Sequence, residues 1–63
     1  MSAFKYLKYK GSGHYNRHDK CWHGRILNIT DLVSYEAASF ENLKEEFVMA
    51  VEDYEKTLKE LNL

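Results

Sequence analysis

A chain of 63 residues holds one domain at most, and a domain of this size hides only about 60% of the surface that its unfolded chain exposes. The single cysteine excludes an internal disulfide, so a partner chain or a metal ion gains weight as a source of stability. The net charge of −1 excludes a chain that binds nucleic acid through an overall basic charge.

The charges are unevenly distributed along the chain. Residues 1–38 contain six Lys and Arg and three Asp and Glu, a net charge of +3, whereas residues 39–63 contain three and seven, a net charge of −4. An acidic C-terminal segment is complementary to a basic partner, although the exposed face of a helix often has the same composition. The sequence therefore does not predict nucleic acid as a partner of this chain alone.

The N-terminal residues lack the apolar stretch of a signal peptide. No apolar run approaches the roughly 20 residues that cross a bilayer, so we expect no membrane partner. One free cysteine and no export signal are typical of a cytoplasmic protein.

The first half of the chain predicts three antiparallel strands. Apolar residues or glycines alternate with polar residues over 8–16 and again over 21–27, and residues 32–37 are rich in strand formers. Polar segments at 17–20 and 28–31 separate these runs. Connections this short force the strands into hairpins.

The second half predicts one amphipathic helix from about Phe40 to about Glu60. Ser39 is a good N-cap, and Glu41 suits the positive end of the helix dipole. The apolar residues recur at intervals of three and four, which places them on one face, and they are Phe40, Leu43, Phe47, Ala50, Val51, Tyr54, Leu58 and Leu61.

The fold class that follows is α+β, a three-stranded antiparallel sheet followed by one long helix (β-β-β-α). The helix stripe is the only available cover for one face of the sheet, and Gly11, Gly13 and Gly24 on that face allow a close approach. The other face and the sheet edges stay open to another chain.

Four potential metal ligands lie within ten residues: His14, His18, Cys21 and His23. If the first hairpin turns at His18 and Asp19, His14 faces His23 across the two strands. The spacing fits no standard zinc pattern, so the prediction is no cofactor, and a metal-binding module is kept as an alternative. A Cys21–His23 nucleophile lacks a recognisable oxyanion hole, and we expect no enzymatic activity.

The chain resembles the short branch of the HicB antitoxin family over most of its length. The resemblance lies in Tyr9-Lys10-Gly11-Ser12-Gly13, in Trp22-His23-Gly24-Arg25-Ile26-Leu27-Asn28-Ile29, in Asp31-Leu32-Val33-Ser34-Tyr35-Glu36, in Ser39-Phe40-Glu41-Asn42-Leu43-Lys44-Glu45-Glu46-Phe47, and in Ala50-Val51-Glu52-Asp53-Tyr54.

This resemblance implies a partial RNase H-like fold without nuclease activity. It also implies a partner, a small basic HicA-type toxin that cleaves mRNA, whose active site the antitoxin occludes. Family members usually continue into a C-terminal DNA-binding domain, whereas this sequence ends at Leu63. We therefore expect residues 1–63 to be a single HicB-like domain without a DNA-binding domain.

The predicted contact surface is the outer sheet face together with the helix flank. The residues predicted to bind the partner are His14, Cys21, His23, Arg25, Glu45 and Glu52. A homo-oligomer is expected under any of these interpretations, because one helix cannot cover both faces of a sheet. An orphan homo-oligomeric domain therefore stands beside the metal-binding module as an alternative function.

Overall fold

The computed structural model describes residues 3–61, which form five short strands and one long helix. The elements are β1 (Phe4–Tyr6), β2 (Tyr9–Gly11), β3 (His14–Asn16), β4 (Cys21–Arg25), β5 (Ser34–Ala37) and α1 (Phe40–Leu61). All strand pairs are antiparallel, so the predicted α+β class is confirmed. Among the described residues, no helix has the length and apolar character needed to cross a membrane.

The strands form a β1–β2 hairpin and a three-stranded sheet in the order β3-β4-β5. A single bridge between Gly11 and Ile26 connects the two. This bridge has the same register as the pair His14–His23, so β2 and β3 act as one interrupted strand beside β4. The spatial order is therefore β1, then β2 with β3, then β4, then β5.

The predicted count of three strands is wrong. The structure adds β1, which folds back onto β2 through Leu7 and Lys8, with Leu7 at a φ of 56°. It also divides the predicted strand over 8–16 at Ser12. There the Ser12 hydroxyl oxygen accepts the N–H of Arg25 at 3.0 Å, a role that the Ser12 carbonyl would have in a regular strand pair. The Ser12 carbonyl oxygen instead accepts the Tyr35 hydroxyl at 2.7 Å.

The helix begins and ends close to the predicted residues. The Ser39 hydroxyl accepts the N–H of Asn42 at 3.2 Å, which confirms Ser39 as the N-cap. Leu43, Phe47 and Val51 are buried against the sheet. Tyr54 is the last side chain of α1 that packs against the hydrophobic core.

The core lies between α1 and the inner face of the sheet. Glycine is needed at Gly11, because a Cβ atom there would lie 2.5 Å from the Phe47 ring. The predicted alternation over residues 8–16 puts Tyr15 on the same face as Gly11 and Gly13, yet Tyr15 is 50% exposed. The helix starts at Phe40 and covers Trp22 without reaching Tyr15. The buried core residues are Phe4, Tyr9, Ile26, Tyr35, Leu43, Phe47 and Val51.

Candidate functional site

The outer face of the sheet, on the side away from α1, is polar and mainly basic. Because side chains alternate along a strand, the burial of Tyr9, Gly11, Gly24 and Ile26 on the inner face sends their neighbours outward. A shallow depression of about 760 Å³ lies on this face. We use "outer face" for Lys5, Lys10, Ser12, His14, Cys21, His23, Arg25, Ser34 and Glu36.

Four polar side chains meet at one end of the outer face, and we call them the His23 cluster: Asp19, Cys21, His23 and Glu36. The Nε2 atom of His23 lies 3.1 Å from Cys21 Sγ and 3.4 Å from an Asp19 carboxylate oxygen. The Nδ1 atom lies 3.7 Å from a Glu36 carboxylate oxygen on β5. Both nitrogens of one half-buried imidazole therefore face polar partners.

The hairpin between β3 and β4 positions Asp19 in this cluster. The side-chain oxygen of Asn16 accepts the N–H groups of His18 at 2.9 Å and Asp19 at 3.3 Å, an Asx turn. Lys20 then adopts a positive φ of 54°, which completes the reversal into β4. The Asp19 carboxylate is thereby held beside the first residues of β4.

The environment of Cys21 favours the neutral thiol. Its pKa is raised by desolvation and, to a smaller extent, by the nearby Asp19 and Glu36 carboxylates. A neutral thiol can donate its proton to His23 Nε2. Since the thiolate is the nucleophilic form, this arrangement disfavours Cys21 as a nucleophile.

The predicted site residues fall into two groups. His14, Cys21, His23 and Arg25 share the outer face, and His14 lies directly opposite His23 with ring centroids 6.1 Å apart, which confirms the predicted facing pair. His18 lies in the turn, and the cluster of potential metal ligands contains Asp19 in its place.

Glu45 and Glu52 form the second group and are exposed on α1. The helix repeat places both on its back, away from the buried Leu43 and Phe47. The Glu52 carboxylate accepts a long hydrogen bond, 3.5 Å, from the Tyr6 hydroxyl. The structure therefore does not bring these two carboxylates together with the outer-face residues.

A second surface combines an open sheet edge with a helix flank, both expected from the sequence, but its residues were not predicted. The free edge of β5 and one flank of α1 enclose an open groove of about 670 Å³, which we call the β5 groove. Its lining residues are Asp31, Val33, Ser34, Tyr35, Glu46, Met49, Ala50, Asp53, Tyr54 and Thr57. Three of these are acidic and none is basic, and the Met49 side chain is 60% exposed.

Two lining residues of the β5 groove are joined by a hydrogen bond of 3.0 Å from the Tyr54 hydroxyl to the Asp31 carboxylate. Desolvation raises the pKa of Tyr54, and this hydrogen bond raises the pKa further by a smaller amount. In the sequence, Glu46 and Asp53 are seven residues apart and lie beside the apolar stripe, which indicates that they share one side of the helix. This spacing did not show that β5 would be the neighbouring strand.

Comparisons with models of known protein families, with curated proteins and with solved structures find no match to this chain.

Proposed function

We propose that this protein is an antitoxin-like binding module that neutralises a small basic ribonuclease of the HicA type by covering its active site. The proposal includes the partial RNase H-like relationship implied by the HicB-like motifs. The observation that carries it is the β5 groove, an acidic, partly apolar channel beside an unpaired strand edge. No catalytic role is assigned to the chain.

A free strand edge and an acidic flank together suit a basic protein that adds an extended segment. Within residues 3–61, β5 pairs only with β4, so its second edge has free backbone donors and acceptors. An added strand would take its affinity from main-chain hydrogen bonds. Glu46 and Asp53 would face basic side chains on one side of that strand, and Met49 would supply apolar contact.

Part of the outer face borders the same edge. Arg25 and His23 pair with Ser34 and Glu36 of β5, so a partner bound along β5 reaches them. We propose that these two residues contact the toxin. His14 lies beside His23 on β3, one strand further from the edge. Cys21 lies at the far end of β4.

Glu45 and Glu52 have a different proposed role. They lie on the back of α1, so they attract a basic partner over a distance and do not touch it. Charges outside a contact surface mainly change the association rate, whereas charges within it mainly change the dissociation rate. Association and dissociation rates can therefore distinguish the effect of Glu45 and Glu52 from that of Glu46 and Asp53.

The direct test is neutralisation of a purified toxin. If the neighbouring gene encodes a small basic protein, that protein is the probe, assayed for RNA cleavage with increasing amounts of the antitoxin. We expect inhibition that is complete at a fixed stoichiometry, together with rescue of growth on co-expression. Undiminished RNA cleavage at saturating antitoxin would contradict the proposed function.

A matched pair of charge reversals tests the location. Glu46→Lys with Asp53→Lys changes the β5 groove, and we expect the dissociation constant to rise roughly 30-fold or more, mainly through faster dissociation. Glu45→Lys with Glu52→Lys makes the same charge change at the same spacing. We expect this control to slow association in a salt-dependent way and to leave dissociation unchanged.

The same free edge favours self-association. A second copy of the chain could pair its own β5 there, so we propose that a homo-oligomer forms when no toxin is present. Sedimentation of the protein with and without toxin would then show a change in oligomeric state. The acidic lining of the β5 groove favours a basic occupant over an identical acidic copy.

A further inference from the structure

The strongest unassigned feature is the mixed set of donor atoms in the His23 cluster. One ligand atom each from Asp19, Cys21 and His23 lies within 4.8 Å of the other two. A tetrahedral zinc ion with bonds of about 2.0–2.3 Å would separate its ligand atoms by about 3.3–3.8 Å. The Nε2 atom of His23, at 3.1 Å and 3.4 Å from its two neighbours, is already near this spacing.

The surroundings of His23 resemble those of a histidine that binds a metal ion. In metal centres, the ligating histidine commonly has a carboxylate on its other ring nitrogen, which fixes the tautomer and the ring orientation. Glu36 on the neighbouring strand occupies this position, 3.7 Å from His23 Nδ1. This distance is slightly longer than a hydrogen bond, so Glu36 lies beside Nδ1 while Nε2 lies close to Asp19 and Cys21.

The backbone around the donors is held by ordinary secondary structure. Cys21 and His23 project from the same face of β4, and the Asn16 side chain fixes the turn that carries Asp19. His14 lies opposite His23 on β3, with the two ring centroids 6.1 Å apart. Three ligands therefore come from a preformed hairpin, with one position left for water or for His14.

We propose that Asp19, Cys21 and His23 form a binding site for a divalent cation of the zinc type, with Glu36 as the residue that positions His23. A thiolate, an imidazole and a carboxylate together favour zinc over magnesium or calcium, which prefer oxygen ligands alone. The cation would displace the thiol proton and offset the charge of two carboxylates and the thiolate. This site does not depend on the binding of a toxin.

The probe for this site is cobalt, followed by zinc. Titration of the metal-free protein with Co²⁺ should produce a thiolate-to-cobalt charge-transfer absorption that saturates at one ion per chain, and Zn²⁺ should displace it. Binding should also raise the thermal unfolding temperature in proportion to the logarithm of the zinc concentration above the dissociation constant. Absence of the charge-transfer absorption in the wild-type protein would overturn the proposal.

The variants separate the ligands from the neighbouring side chains. Cys21→Ser should abolish the charge-transfer absorption, and His23→Gln should weaken zinc binding at least as strongly as Glu36→Gln, which should weaken it roughly 10-fold. His18→Ala is the matched control, because His18 lies in the same hairpin outside the cluster, and we expect unchanged affinity. Equal losses in His18→Ala and His23→Gln would contradict the assignment.

The folding of the variants is checked by circular dichroism. None of the four side chains of the His23 cluster belongs to the hydrophobic core, so the variants are expected to keep the native spectrum. The wild-type titration decides the proposal even if one variant does not fold.

Discussion

At the scale of single residues, Tyr35 connects the core to the interrupted strand. Only 8% of its surface is exposed, and its hydroxyl donates a hydrogen bond of 2.7 Å to the Ser12 carbonyl oxygen. Burial raises the pKa of Tyr35 to about 12. The folded protein therefore retains this proton in a pH range where an unfolded chain loses it.

Replacement of Tyr35 by phenylalanine should destabilise the protein at neutral pH by about 1–3 kcal/mol, because the Ser12 carbonyl loses its partner at a buried position. It should also change the alkaline pH dependence. The stabilisation linked to Tyr35 is complete below pH about 10 and is lost as the pH rises through about 12, at up to about 1.4 kcal/mol per pH unit. Urea denaturation across this range measures both effects.

Tyr15→Phe is the control for this experiment, since Tyr15 is half exposed and is expected to tolerate the loss of its hydroxyl. Tyr9 and Tyr54, whose pKa values are also raised by desolvation, are present in every variant. In Tyr35→Phe, any remaining decrease of the free energy of unfolding at alkaline pH comes from these two tyrosines and from other groups. An unchanged slope in Tyr35→Phe would contradict the assignment.

The sequence predicted some site residues well and missed others. The pairing of His14 with His23 follows from a hairpin turn at His18 and Asp19, and it is confirmed. Asp19 was interpreted only as part of a polar connection, because its position in the His23 cluster depends on the hydrogen bonds of the Asn16 side chain. Turn residues are placed by such local contacts, which an alternation pattern does not contain.

At the scale of elements, Asn28 attaches the β1–β2 hairpin to the rest of the sheet. Its side-chain oxygen accepts the N–H of Lys10 at 2.9 Å, and its amide nitrogen donates to the carbonyl of Lys8 at 2.8 Å. Beside it, the N–H of Leu27 donates to the carbonyl of Lys10 at 2.8 Å. The Asn28 side chain thus extends the ladder where backbone pairing ends.

Asn28→Ala should lower the free energy of unfolding by about 1–2 kcal/mol, since two hydrogen bonds at an exposed site are lost. Asn28→Asp should have a similar effect at neutral pH, because it keeps the acceptor for Lys10 but places a charged carboxylate oxygen against the carbonyl oxygen of Lys8. Thermal denaturation measures both. Thr30→Ala, in the same loop and exposed, is the control, and an equal loss there would contradict this role for Asn28.

The elements differ in how far they could be predicted. The helix was predicted from Phe40 to Glu60 and spans Phe40–Leu61, because a long apolar stripe and an N-cap are strong signals. β1 was missed, because its turn at Leu7 and Lys8 contains none of the residues that usually mark hairpins. The third predicted strand began at Leu32, whereas β5 begins at Ser34.

At the scale of the whole molecule, one core supports all of the elements, and Phe47 is near its centre. The Phe47 ring lies 5.6 Å from the Phe4 ring of β1 and 5.7 Å from the Tyr35 ring of β5. A domain of this length has a total stability of only about 3–9 kcal/mol. Loss of this one side chain therefore affects the hairpin, the sheet and the helix together.

Phe47→Ala should cost about 3–5 kcal/mol and leave a large fraction of the protein unfolded at 37 °C. Met49→Ala, on the same helix but 60% exposed, should change stability by no more than about 0.5 kcal/mol. Urea denaturation followed by circular dichroism measures the two variants. A loss below about 1 kcal/mol for Phe47→Ala would contradict the single-core description.

The overall arrangement of helix and sheet was predictable, and the surfaces were predictable only in part. Cover of one sheet face by the apolar stripe of α1 follows from burial, and the structure has this arrangement. The β5 groove depends on which strand lies beside Glu46 and Asp53. That neighbour is set by the path of the chain through five strands, where three were expected.

The unequal lengths of helix and strands have a mechanical consequence. The helix of 22 residues spans about 33 Å, whereas the longest described strand has five residues, and no apolar side chain within residues 55–61 joins the core. The last seven described residues thus form a helix end about 10 Å long that extends past the core. These last turns can unwind without exposing the hydrophobic core. A protein fused to the C-terminus would therefore move with this end of the helix and exert little strain on the sheet.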